Sequence, residues 1–180
     1  ATRLRPTFAA GVWFVDLTSL PDPQLLPHTV ANTLELRQVS ANPGADLATY
    51  LEDLELLLVL DNCEHLIDAV ASVVDELLDA LPDLTIVATS RRRLDVDGEQ
   101  VFAVPPLATD TADDEPADAL ALLLARARAG DAGFALAQTD LAAAAQLCRA
   151  LDGLPLAIEL AAARLRTLSV TELGRRLSQR

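Results

Sequence analysis

Lysine is absent from this chain: all 14 basic residues are arginines. The phosphate-cradling pattern G-x-x-x-x-G-K-[ST] therefore occurs nowhere in the 180 residues. Cysteine is scarce. Cys63 and Cys148 are the whole supply, which fits reduced thiols better than a disulfide framework. Long apolar runs are missing too, since charged residues interrupt each one well short of the roughly 20 residues needed to cross a bilayer. The segment Ala1-Thr2-Arg3-Leu4-Arg5-Pro6 lacks the basic start and apolar stretch of a secretory signal. The expected location is the cytoplasm, with no membrane partner. Positive charge is in deficit, 14 basic against 27 acidic residues for a net −13. Such a field repels polyphosphate backbones and argues against direct contact with DNA or RNA.

Apolar residues make up 51% of the chain, enough for one sizeable core or a domain with part of a second. Val12 to Leu17, Leu56 to Leu60 and Thr85 to Thr89 are short, continuously apolar or β-branched runs, the signature of strands buried on both faces of a parallel sheet. Val101 to Val104 reads as a shorter fourth strand, stopped by Pro105-Pro106. Helical patterns alternate with them at Pro23 to Leu36, Ala48 to Leu54 and Glu64 to Leu81, so the fold class is α/β with crossover connections. Pro23 and Pro27 offer two alternative starts for the first helix.

Thr109 to Asp118 is acidic and turn-rich around Asp113-Asp114-Glu115-Pro116, and reads as an exposed linker. Beyond it everything is helical in pattern: Ala117 to Ala129, Leu141 to Leu151 with Asp140 as its cap, and Pro155 to about Leu168. Gly153 supplies the stop between the last two. Ser169-Val170-Thr171-Glu172 has capping-box spacing and opens a final helix that reads as cut short at Arg180. The expected organisation is an α/β part over residues 1–110 and a small helical bundle over 117–180.

Three elements carry candidate chemistry. Leu56-Leu57-Leu58-Val59-Leu60-Asp61 is an aliphatic strand ending in a carboxylate, a hard oxygen ligand suited to Mg²⁺. Taken alone, Asp61-Asn62 serves equally well as a helix N-cap. Thr85 to Arg91 ends in two hydroxyls and an arginine that could reach a terminal phosphate, although Arg91, Arg92 and Arg93 also read as a solvated charge run. Leu151-Asp152-Gly153-Leu154-Pro155-Leu156-Ala157 is explained by helix punctuation alone. Cys63 and His65 stand at alternate positions, do not face each other on a helix, and have no third group to orient them. With His28 and Cys148 they show no paired zinc-ligand spacing. Trp13 reads as a packed strand residue.

In combination and in this order, LLLVLDNCEHLIDA (56–69), TIVATSRRRLDVDGEQVFAVPPL (85–107) and LDGLPLAIELAAARLRTLS (151–169) resemble the ATPase module of large bacterial transcriptional regulators of the STAND class. That class includes LuxR-type and SARP-type activators and is related to NB-ARC switch domains. GVWFVDLTSLPDP (11–23) resembles the second strand of the same module, so the likeness covers nearly the whole chain.

The resemblance implies a partial P-loop NTPase sheet followed by a helical lid, acting as an ATP/ADP-dependent regulatory switch with Mg²⁺. It implies that Asp61 is the magnesium-associated acid, that Arg91 is a sensor-like arginine with Ser90 beside it in the nucleotide site, and that Pro155 packs near the base. The switch would drive effector domains of the same polypeptide and could assemble with further copies on activation. One departure is Asn62, where many relatives carry a second acid; Glu64 is the substitute candidate for orienting water. The larger departure is the missing glycine-rich loop. The expectation is that this chain starts at the end of the loop's helix and is inactive alone. A rival reading is an interaction scaffold that has lost nucleotide binding. An independent hydrolase would need a nucleophile or metal motif that the sequence lacks. The three strands should lie side by side and parallel, with 56–61 in the middle, and the absent strand should leave an exposed edge between 85–90 and 101–104.

Overall fold

The computed structural model describes residues 7–36, 42–81, 83–110, 117–177 and 179. The chain forms two compact units, Ala1–Phe102 and Ala103–Arg180. The first is α/β. Its elements run β1 (Val12–Asp16), α1 (Leu26–Thr33), α2 (Pro43–Leu51), β2 (Leu57–Asp61), α3 (Ile67–Ala80) and β3 (Thr85–Ala88). The sheet order is β1-β2-β3 with both pairings parallel. The expected arrangement holds, with the strand ending in Asp61 at the centre.

Strand pleat sorts the apolar residues onto two faces. Trp13, Val15, Leu58, Leu60, Ile86 and Ala88 join one cluster with Leu26, Val30, Leu47 and Leu51 of α1 and α2. Val70, Val74 and Leu77 of α3 complete it, at spacings that put them on one stripe of the helix. Crossovers of one hand that step in the same direction place their helices on the same face, and the sheet steps from β1 to β2 to β3 without reversing. The alternate residues belong to neither core cluster: Phe14 is 52% exposed and Val87 47% exposed, in register on either side of Val59. This parallel sheet is covered by its own helices on one face.

Local punctuation explains the boundaries. Both prolines near the first helix are used: Pro23 opens a 3₁₀ turn, Pro23–Leu25, capped by Asp22, and Pro27 sits in the first turn of α1. α2 begins at Pro43, earlier than the Ala48 start expected from apolar spacing. Val101 to Val104 forms no strand; Phe102 is 84% and Val104 82% exposed. An extended segment gains ladder hydrogen bonds only beside a partner strand, and β3 pairs only with β2 among the described residues.

The second unit is helical: α4 (Asp118–Gly130), α5 (Leu141–Ala150), α6 (Pro155–Arg164) and α7 (Val170–Leu177). Leu120, Leu123, Leu147, Ile158, Leu165 and Leu173 fill its core. The unit begins before the acidic stretch, because the Leu107 N–H donates to the Gly153 carbonyl at 3.0 Å and the Ala119 N–H to the Ala108 carbonyl. The linker centre at 111–116 lies outside the described residues. Asp140 does not cap α5 through its side chain; it closes a 3₁₀ turn, Gln138–Asp140, instead. The Ser169 hydroxyl does cap α7, accepting from the Glu172 N–H at 3.2 Å, but the Glu172 carboxylate pairs with Arg175 and Arg176. α6 ends at Arg164, short of Leu168. No helix among the described residues is long and apolar enough to cross a membrane.

Candidate functional site at the carboxyl edge of the sheet

Because the strands are parallel, the residues that follow their carboxyl ends share one edge, where open α/β sheets bind ligands. Asp61 ends β2 and lies in register with Asp16 of β1. Thr89, Ser90 and Arg91 follow β3 directly. The structure thus brings Asp61, Ser90 and Arg91 to one edge. Pro155 belongs to the second unit, in the first turn of α6.

Thr89 is the hub of this edge. Its hydroxyl donates to Asp61 Oδ1 and accepts from the Asn62 N–H at 3.0 Å. Its backbone continues the ladder, with the Thr89 N–H donating to the Leu60 carbonyl and the Cys63 N–H donating to the Thr89 carbonyl. The Asp61 carboxylate is therefore tied across the sheet to β3. The helix-cap reading of Asp61-Asn62 does not hold: neither the turn at Cys63–His65 nor α3 has a side-chain cap. Asn62 adopts a left-handed conformation, φ 65°, which asparagine tolerates better than most residues and which turns the chain sharply after the strand.

Glu64 and Arg91 meet at the same edge. Arg91 Nε donates to Glu64 Oε1 at 2.7 Å, with the guanidinium 84% exposed and the carboxylate side chain 17% exposed. The main-chain N–H of Glu64 holds its carboxyl below the ordinary value, with Arg91 and His65 adding to the effect and desolvation opposing it. The Ser90 hydroxyl accepts from the Arg92 N–H at 3.1 Å and fixes the turn that carries Arg91. A cavity of about 260 Å³ is lined by Glu64, His65, Arg91 and Arg92. A larger one, about 620 Å³, lies at the opposite, amino edge, lined by residues 51–55 with Ala80, Leu81, Asp83 and Leu84, away from these groups.

Cys63 and His65 do not form a couple. Cys63 is fully buried, and burial, reinforced by Asp61 and Glu64, pushes its thiol up to about 11. His65 Nε2 lies 3.2 Å from the Leu20 carbonyl. Trp13 donates its indole N–H to the Ala10 carbonyl at 3.0 Å, the role of a packed strand residue.

Sequence reasoning passed over Thr89 and Asp16. Each carried a signal: Thr89 is the first hydroxyl after the third strand, and Asp16 ends VWFVD as Asp61 ends LLVLD. Asp16 accepts from the Thr18 N–H at 2.9 Å, and Thr18 lowers its carboxyl from the ordinary value. That contact makes Asp16 a turn-forming residue.

The turn in the second unit shows a different kind of constraint. Gly153 has φ +65°, and a Cβ placed there would stand 2.2 Å from the Leu107 carbonyl oxygen. Only glycine fits both the backbone conformation and the approach.

Comparison with known proteins adds relatives of greater length. The chain is 41% identical over 166 residues to a Mycobacterium tuberculosis protein named "Putative HTH-type transcriptional regulator", covering 91% of this chain and 18% of that one; a Mycobacterium bovis protein of the same designation matches equally. It is 39% identical over 174 residues to an uncharacterized protein of Mycobacterium tuberculosis, covering 96% of this chain and 43% of the relative. The chain thus spans less than half the length of the curated relatives it matches. No family profile matches it. No solved structure matches it significantly.

Proposed function

We propose that this chain is part of a nucleotide-dependent switch, responding to ATP and ADP, within a transcriptional regulator. The observation that carries the reading is the meeting of Asp61, Thr89, Glu64 and Arg91 at the carboxyl edge of a parallel sheet, an acid and a cation held by side-chain contacts rather than by packing. The name of the 41% identical relatives supports the regulatory half of the proposal. The one-sided sheet supports the rest. Parallel sheets are ordinarily covered on both faces, and the open face at Phe14 and Val87, beside the edge of β3 that has no partner strand among the described residues, suits a further strand and helix of the same polypeptide.

In this reading Asp61 fits the single-carboxylate share of a Mg²⁺ site that is otherwise made by phosphates and water. The ion would screen the phosphate charge. The phosphate cradle and its lysine would come from residues outside this stretch, since the chain contains no lysine. Arg91 would meet the outer phosphate. Glu64 would either orient water or, as its contact with Arg91 favours, hold that arginine. Nucleotide exchange would then shift attached effector domains between two states. Asn62, standing where many proteins of the resembled class carry a second acid, favours the alternative of a scaffold without nucleotide binding.

Titration with labelled ATP and Mg²⁺ separates the two. The chain of 180 residues should bind weakly or not at all, while the natural polypeptide that includes about one preceding strand-loop-helix unit, roughly 30 residues, should bind. Equal tight binding by both would place the site elsewhere. No binding by the well-folded longer chain would favour the scaffold.

A further inference from the structure

We infer that Glu64 and Arg91 form an exchangeable latch, in which the carboxylate holds the guanidinium until the outer phosphate of a nucleoside triphosphate displaces it. The inference rests on the nucleotide-site reading above and assigns Glu64 a regulatory rather than a water-orienting role. Its basis is the asymmetry of the pair. Glu64 is the anchored member, 17% exposed, placed by the turn Cys63–His65 directly after β2. Arg91 is the swinging member, 84% exposed, on a turn pinned by the Ser90 hydroxyl and the Arg92 N–H.

The two residues are 27 positions apart, and both follow strand ends at the edge that carries Asp61. An exposed ion pair of this kind has little net stability, so exchange of one anion for another is cheap. A terminal phosphate offers more negative charge and more acceptor oxygens than a carboxylate, and arginine matches it in a forked geometry. A diphosphate bound in the same place is one phosphate shorter. It would leave the latch closed. The contact thereby becomes a discriminator between triphosphate and diphosphate, with Glu64 setting the threshold.

The test uses the natural full-length polypeptide that contains this chain, titrated with ATP and separately with ADP in the presence of Mg²⁺. Glu64→Gln removes the competitor's charge while keeping one acceptor oxygen, and should tighten ATP binding about threefold with ADP unchanged, the scale of one exposed ion pair. Arg91→Ala should abolish the preference for ATP over ADP, and the double variant should behave as Arg91→Ala alone. A loss of ATP affinity in Glu64→Gln would overturn the latch and restore Glu64 as a helper of the phosphate or its water. Parallel shifts for ATP and ADP, or no shift, would also overturn it while leaving the site reading intact. If the wild-type polypeptide binds neither nucleotide, the site reading fails and the latch fails with it.

Discussion

The edge of the sheet and the turn between α5 and α6 both carry residues that sequence reading singled out, yet they are held in opposite ways. At the sheet edge Asp61 contacts Thr89 and Glu64 contacts Arg91 through side chains, and none of the four belongs to a core cluster. In the turn, Gly153 is fixed by its own backbone and by the carbonyl of Leu107, and Pro155 starts a helix. Residues held as at the edge are dispensable for folding and available for chemistry. Residues held as in the turn are needed for folding first. The contrast says where a substitution should be read as a loss of function and where as a loss of structure.

The sharpest way to break the contrast is Gly153→Ala. A left-handed alanine costs roughly 1–2 kcal/mol, and relieving the overlap with the Leu107 carbonyl adds to it, so the helical unit should lose about 3 kcal/mol in denaturant unfolding. A loss under about 1 kcal/mol would show that the turn relaxes easily and that Gly153 is kept for some other reason.

Thr89→Val is the intermediate case, because it removes the hydroxyl that binds both Asp61 and the Asn62 N–H while preserving shape. Both partners are solvent-accessible, so the cost should be about 1 kcal/mol, and the larger consequence should be in Mg²⁺-dependent nucleotide binding by the longer polypeptide. A stability loss equal to that of Gly153→Ala would erase the distinction between edge and turn.

Acid titration gives the smallest effect. The folded-state carboxyl of Glu64 is held below its ordinary value of 4.5, so its contribution to stability is present above that pH and is lost as pH falls through the lower folded value. Glu64→Gln should be slightly less stable at neutral pH and should converge with the wild type below about pH 4.5. Curves that stay parallel from pH 7 to pH 3 would show that neither the main-chain N–H of Glu64 nor Arg91 holds the carboxylate in solution.

Much of the α/β unit was legible because its signals are local. Apolar runs of five or so residues bounded by polar ones located all three strands, and their order followed from the resemblance. Legibility failed where a partner decides the outcome. Val101 to Val104 has the composition of a strand and is exposed chain instead, since among the described residues no strand pairs with it. Asp140 looks like a cap and is not one, because the turn that precedes α5 already closes the backbone there.

By itself, then, the sequence determined the elements, their alternation and the absence of a lysine-bearing phosphate loop, all consequences of residue type and short-range spacing. Tertiary structure decided which side chains meet. Asp61 and Thr89 are 28 residues apart, and Glu64 and Arg91 are 27 apart; no local preference specifies either contact. They exist because two parallel strands in register end at the same edge, which a crossover through α3 makes unavoidable once the apolar stripe of that helix is buried.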